Sequence, residues 1–61
     1  MVIAYRFYAW EYDDAGNRWR ADTPYESGEY DARNTVARRT FGIRCSDALE
    51  LGSEVVTYRV A

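Results

Sequence analysis

The chain has 61 residues, 48% of them hydrophobic and 16% aromatic, and its net charge at pH 7 is −2. This length and composition allow one small domain with a core and exclude an intrinsically disordered chain. The chain has no histidine and all its basic residues are arginines. The usual general base and the Schiff-base amine are therefore missing, and we expect no enzymatic activity, no cofactor and no metal.

The first predicted element is a strand over residues 2–12, VIAYRFYAWEY. Side chains alternate between the two faces of a strand, and both faces of this one carry large apolar groups. If Ile3, Tyr5 and Phe7 point to a helix, the opposite face points away from it. The residues of the opposite face are Arg6, Tyr8, Trp10 and Tyr12. A sheet with one face in water alternates more cleanly, so this second face is either covered within the fold or kept for a partner.

A turn and a second strand follow. Residues 13–17, DDAGN, are typical of a turn in which Gly16 or Asn17 takes a positive φ, and residues 18–22 alternate again. The sequence therefore predicts a β-hairpin, which ends before Pro24 because proline cannot donate a ladder hydrogen bond. The acids of this turn lack the spacing of a calcium-binding EF-hand loop.

The middle of the chain predicts the helix, from Ser27 as N-cap to Gly42 as the left-handed residue after the last turn. Acids in its first turn and arginines in its last turn would oppose the helix macrodipole. These residues are Glu29, Asp31, Arg38 and Arg39. The side chains expected on the face toward the sheet are Tyr30, Ala37 and Phe41.

Two more strands are predicted after the helix, over residues 43–51 and 55–60, with a turn at residues 52–54 between them. The order β-β-α-β-β gives an α+β fold, a small antiparallel β-sheet with one helix packed on one face. We expect a single domain over residues 1–61. Cys45 has no cysteine to pair with, and we expect it to be buried and inert.

The candidate binding surface is the outward face of the hairpin, where arginines accompany aromatic rings. Its residues are Arg6, Tyr8, Trp10, Tyr12, Arg18 and Arg20, with Arg59 as an addition from the last strand. These residue types dominate binding hot spots between proteins. They also suit single-stranded nucleic acid, which stacks its bases on rings, or they could merely complete the packing of the sheet. The net negative charge disfavours nucleic acid.

A second candidate contact is acidic. Its residues are Asp22, Glu26, Glu29 and Asp31, around the Pro24 loop. The helix macrodipole accounts for part of this set. All four acids would still form a local negative patch, which could dock on arginines or lysines of a partner, including those that hold nucleic-acid phosphates.

The layout of the whole chain resembles that of small phage-encoded inhibitors, among them anti-CRISPR proteins. The resemblance is carried by the aromatic strand VIAYRFYAWEY, the helix SGEYDARNTVARRTFG and the closing strand EVVTYRV. Several of these inhibitors are similarly short and place one helix on an antiparallel sheet. The resemblance implies a stoichiometric inhibitor that docks on a nucleic-acid-processing complex, either by occupying its basic surface or by locking its subunits.

We therefore expect a cytoplasmic, non-enzymatic protein that binds another protein. The alternative is a small single-stranded nucleic-acid-binding domain that uses the same face. A third alternative is a homodimer in which the first strands pair edge to edge. No apolar run reaches the roughly 20 residues that span a bilayer, and no basic-then-apolar leader is present, so we expect no membrane partner.

Overall fold

The computed structural model describes residues 1–61 and contains five strands and one helix. The strands are β1 (Val2–Tyr8), β2 (Trp10–Tyr12), β3 (Arg18–Arg20), β4 (Glu26–Asp31) and β5 (Glu54–Arg59), and the helix α1 is Thr35–Glu50. All strand pairs are antiparallel. The predicted fold class, a small α+β fold with one helix and an antiparallel sheet, is confirmed.

The central strand of the main sheet is β1, with β4 on one side and β5 on the other. β4 pairs with β1 over residues 2–7, and β5 pairs with it over residues 3–8. Both edges of β1 are thus used by strands of the same chain. This arrangement excludes a homodimer in which two copies of β1 pair edge to edge.

A hairpin of β2 and β3 continues the line of β1 beyond Ala9 and forms a separate two-stranded sheet. We call residues 9–21 the arm. The molecule measures 45 × 21 × 12 Å, and its radius of gyration is 13.3 Å, against about 10.5 Å expected for a compact domain of this length. The predicted hairpin is confirmed for β2 and β3, but residues 2–8 of the predicted first strand pair with β4 and β5 instead.

The helix lies later in the chain than the sequence predicts, and the element order is β-β-β-β-α-β. Residues 26–31 form β4, and the helix begins after Asn34, whose side-chain Oδ1 accepts the N–H of Ala37 at 3.1 Å. Ser27 is therefore a strand residue, and Gly42 lies inside the helix with no positive φ. The region 43–51, predicted as a strand, continues the helix to Glu50.

The macrodipole interpretation is wrong for the same reason. The first turn of α1 has no acid and its last turn has no base. Glu29 and Asp31 are strand residues opposite Ala4 and Val2. The pairing of β1 explains why Glu29 and Asp31 lie in a strand. The backbone N–H and C=O groups along one edge of β1 need hydrogen-bond partners, and residues 26–31 supply them.

Phe41 is the side chain through which α1 packs on the sheet. Its ring centroid lies 4.8 Å from Tyr30, 5.0 Å from Tyr5 and 6.3 Å from Phe7. Tyr5 and Phe7 therefore point to the helix, which settles the face of the first strand that the sequence left open. Tyr30 does share a cluster with Phe41, although it reaches the cluster from a strand. Cys45 is half-buried on the helix.

The core is small for a chain of this length. The buried residues are Ala4, Phe7, Tyr8 and Ala48. The accessible surface is 4492 Å², whereas a folded monomer of this mass is expected to expose roughly 4,100 Å². Stability therefore depends on a few tightly packed aromatic contacts, because little other apolar surface is removed from water.

One of these contacts requires a glycine. Gly28 lies opposite Tyr5 in the β1–β4 pair, on the face that meets the helix. A Cβ at this position would lie 2.7 Å from the Tyr5 hydroxyl oxygen and 2.9 Å from Cζ of the same ring. The absence of a side chain thus gives the Tyr5 ring its place beside Phe41.

Replacing Gly28 with alanine should destabilise the fold by about 1–3 kcal/mol, since the Tyr5 ring must shift within a packed cluster. Urea unfolding followed by far-UV circular dichroism measures the change in the free energy of unfolding.

Gly42→Ala is the matched control. A Cβ at Gly42 would meet nothing within 4 Å, and alanine is the better helix former, so this variant should be more stable by about 1 kcal/mol. Equal effects of the two substitutions, in either direction, would contradict the assigned role of Gly28.

Candidate functional site

The arm is held in shape by its turn. Asp13 Oδ1 accepts the backbone N–H of Ala15 at 3.0 Å and that of Asn17 at 2.9 Å, and Asp13 Oδ2 accepts the Asn17 side-chain amide at 3.1 Å. Gly16 takes the positive φ, at 85°. These bonds, first those from Asn17, lower the pKa of Asp13. Because the hydrogen bonds to the Asp13 carboxylate fix the turn, they also fix the register in which β2 pairs with β3.

Arginines of the arm lie over aromatic rings on one face. The guanidinium carbon of Arg18 is 4.2 Å from the centroid of the Trp10 ring, and that of Arg20 is 4.1 Å from the Tyr8 ring. Arg20 also pairs with Glu54 at the start of β5, at 3.5 Å. The Arg20–Tyr8 contact and this ion pair connect the arm to the main sheet, while the Arg18–Trp10 contact lies within the arm.

The same arrangement continues onto the main sheet. Arg6 Nη2 donates to the Tyr58 hydroxyl at 3.0 Å, and its guanidinium carbon lies 5.4 Å from the centroid of that ring. Tyr58 is opposite Ala4, on the face away from the helix, whereas Arg59 is opposite Ile3. Tyr58 therefore occupies the position on this surface that is predicted for Arg59 from the sequence. The alternation within β5 places Tyr58 and Arg59 on opposite faces, but only the pairing register of β5 with β1 shows which of the two faces away from the helix.

We call this set the arginine–aromatic surface. It consists of Arg6, Tyr8, Trp10, Tyr12, Arg18, Arg20 and Tyr58. Its members differ in exposure: Tyr8 is buried with only 5% of its surface exposed, and Trp10 is half-buried. Tyr12 is 64% exposed, and the three arginines are exposed as well. A partner would therefore meet the arginines and Tyr12, while Tyr8 supports Arg20 from beneath.

The four predicted acids are not brought together in one patch. Glu26 lies opposite Phe7 on the helix side and accepts a hydrogen bond from Arg44 Nε at 2.6 Å, which lowers the pKa of its carboxyl group. Glu29 and Asp31 lie on the opposite side of the sheet, the side of Arg6, and Asp22 is exposed between β3 and β4.

Asp31 is neutralised by its surroundings. Arg33 donates to it from Nη2 at 3.2 Å, from Nε at 3.3 Å and from its backbone N–H at 2.9 Å, and the amino terminus lies 3.8 Å away. The side-chain bonds from Arg33 come first among the causes that lower the pKa of Asp31 to about 2. This acid therefore has its partners within the chain.

An apolar cleft lies next to the arginine–aromatic surface, at the base of the arm. It has a volume of about 340 Å³ and is lined by Ala9, Trp10, Tyr12, Tyr25, Leu51, Gly52 and Ser53. A hydrogen bond of 2.6 Å between the Tyr25 and Ser53 hydroxyls fixes one wall. Leu51, at the end of the helix, is 80% exposed. This cleft cannot be predicted from the sequence, because its walls come from segments that are far apart in the chain.

No three cysteine, aspartate or glutamate side chains come close enough together to hold a metal ion. The one helix is too short and too polar to cross a membrane. Comparison with protein families, with curated proteins and with solved structures finds no match.

The Asp31 pair gives a pH-dependent prediction. The pKa of the Asp31 carboxyl group is about 2 in the folded state, below the ordinary value of 3.8. The stability that the ionised carboxylate contributes is therefore present above about pH 4 and is lost as the pH falls toward 2. Asp31→Asn should therefore be less stable than the wild type at pH 7, and the difference should close between about pH 4 and 2. Urea unfolding of both proteins across this range measures it.

Asp14→Asn is the control for this series, since Asp14 makes no ion pair or side-chain hydrogen bond. It removes the same charge from the chain without removing a pair. The free energies of unfolding of Asp31→Asn and the wild type are compared at each pH. A difference that stays constant down to pH 2 would show that the Asp31–Arg33 contact is not formed in solution.

Proposed function

We propose that the protein is a non-enzymatic protein-binding module that docks on its partner through the arginine–aromatic surface. The observation that carries this proposal is the placement of Arg18 and Arg20 over the rings of Trp10 and Tyr8, at 4.2 and 4.1 Å, on an arm at the end of an elongated molecule. Arginine, tryptophan and tyrosine are the residues most enriched in binding hot spots.

Stacking on a ring lowers the entropic cost of immobilising these arginine side chains when a partner binds. Immobilising a long side chain on binding costs about 0.5–1.5 kcal/mol, and contact with a ring restricts the side chain beforehand. The side chain of Arg18 makes no hydrogen bond or ion pair within the chain, so its guanidinium N–H donors are free to bind carboxylates or carbonyls of a partner.

The same geometry favours a protein over single-stranded nucleic acid. Base stacking needs an uncovered ring face, but Tyr8 is buried and Arg18 lies over Trp10. The carboxylate of Glu29 shares the sheet face with Arg6, and it would repel phosphates. A surface that mixes both signs of charge suits complementary charges on another protein.

The cleft at the base of the arm adds an apolar contact beside these charges. Its exposed walls, Tyr12 and Leu51, could enclose one large side chain of the partner. Interfaces between proteins commonly combine such an apolar anchor with a polar rim. The partner that we propose is a nucleic-acid-processing complex, which the protein would inhibit stoichiometrically, as its resemblance to small phage-encoded inhibitors implies.

Arg18→Ala should weaken partner binding about thirtyfold, which corresponds to the roughly 2 kcal/mol of a hot-spot residue. Because Arg18 is exposed, the fold should be retained. The immobilised chain is used to capture proteins from lysate of its native cell, and the recovery of each protein is compared quantitatively between the wild type and the variant.

Arg39→Ala is the matched control. It removes the same charge from an exposed position on α1, away from the arm, so a genuine partner should be recovered in full. Equal losses with both variants would contradict the proposed surface. Binding of a labelled single-stranded oligonucleotide at micromolar affinity or tighter, falling steeply with salt, would instead support the nucleic-acid alternative.

A further inference from the structure

The two outer edges of the main sheet differ in chemistry. The outer strand β4 carries three acids, Glu26, Glu29 and Asp31. The outer strand β5 carries one acid and one arginine at its ends, with Val55, Val56, Thr57 and Tyr58 between them. Charged residues protect an edge from pairing with another chain, whereas a β-branched and apolar edge invites it. We propose that β5 pairs with β5 of a second copy of this chain.

The backbone of β5 has free hydrogen-bonding groups on its outer side. The Val60 N–H donates to Val2 O at 2.9 Å, and the register of β5 with β1 continues from there in steps of two. The even-numbered residues of β5 therefore bond to β1. Since successive residues of a strand alternate, the N–H and C=O groups of Val55, Thr57 and Arg59 point outward.

This pattern is self-complementary under a two-fold axis perpendicular to the sheet. Such an axis makes the strands antiparallel and keeps the same face of each sheet on the same side. Thr57 then lies opposite the second copy's Thr57, and Val55 lies opposite the second copy's Arg59. The outward groups of all these residues meet, which gives about six interchain hydrogen bonds and a continuous six-stranded sheet.

Side chains at this edge match the same register. Val56 lies opposite the second copy's Tyr58, an aromatic–β-branched pair of the kind that stabilises sheets. In the single chain Tyr58 is 41% exposed and Val60 is 46% exposed. No like charges lie opposite each other in this register. The dimer would also remove part of the excess surface that the small core leaves in water.

The acidic β4 edge argues against the other ways of adding a chain. Pairing β4 with β4 in the symmetric register centred on Glu29 would place the two Glu29 carboxylates, which have no ion pair within the chain, opposite each other. Pairing β4 of one copy with β5 of the next would not close and would produce open-ended polymers. The β5 pair alone gives a closed dimer.

Sedimentation equilibrium over a concentration series tests the dimer, and the mass should reach twice the chain mass of 7.1 kDa. Thr57→Lys places two ammonium groups opposite each other on the two-fold axis, and it should raise the dimer dissociation constant at least about tenfold. Thr40→Lys makes the same change at an exposed position of the helix and should leave the constant unaltered.

Amide hydrogen exchange separates edge pairing from other contacts. The N–H groups of Val55, Thr57 and Arg59 should exchange slowly at high concentration and quickly in the Thr57→Lys variant, while circular dichroism shows that the variant is folded. A mass that stays at 7.1 kDa up to millimolar concentration would overturn the proposal. Polymers larger than a dimer would also overturn the proposal. An equal rise in the dimer dissociation constant in the Thr40→Lys variant would do the same.

Discussion

The packing of the helix on the sheet depends on Phe41, because its ring meets Tyr5 and Phe7 of the central strand and Tyr30 of an outer strand. This one cluster ties three elements together in a chain that buries few other side chains. The room that Gly28 leaves for the Tyr5 ring is part of the same constraint. The strand order follows from it as well, since β4 must lie beside β1 for Tyr30 to reach the helix.

The opposite face of the sheet has no second layer of secondary structure, and arginines cover its aromatic rings instead. Each exposed contact of this kind contributes about 0.5–1 kcal/mol, so the arginines stabilise the fold while they present donors to solvent. A ligand that pulled Arg20 away from Tyr8 would uncover a buried ring. Recognition at this face is therefore compatible with acceptor groups that leave the stacking in place, and less so with rings that compete for it.

Local chemistry made some of the structure predictable and left the rest open. Alternation in the first stretch correctly grouped Tyr5 and Phe7 on one face but did not show that this face meets the helix, and the turn at Gly16 was evident from its residues. The helix was misplaced because Ser27 resembles an N-cap, whereas Asn34 performs that role and the segment before it pairs with β1. The arginines and rings of the arm were predictable as a set, but Tyr58 and the cleft depend on pairing between distant segments.

The arm is linked to the main sheet by few side-chain contacts, chiefly those of Arg20 with Tyr8 and Glu54. A two-stranded ribbon of this kind can open and close on its own while the helix and the three-stranded sheet stay folded. Substitutions near its tip consequently have little influence on the cluster around Phe41. Under the proposed function, changes at Tyr12 or Arg18 would alter recognition while the scaffold keeps its stability.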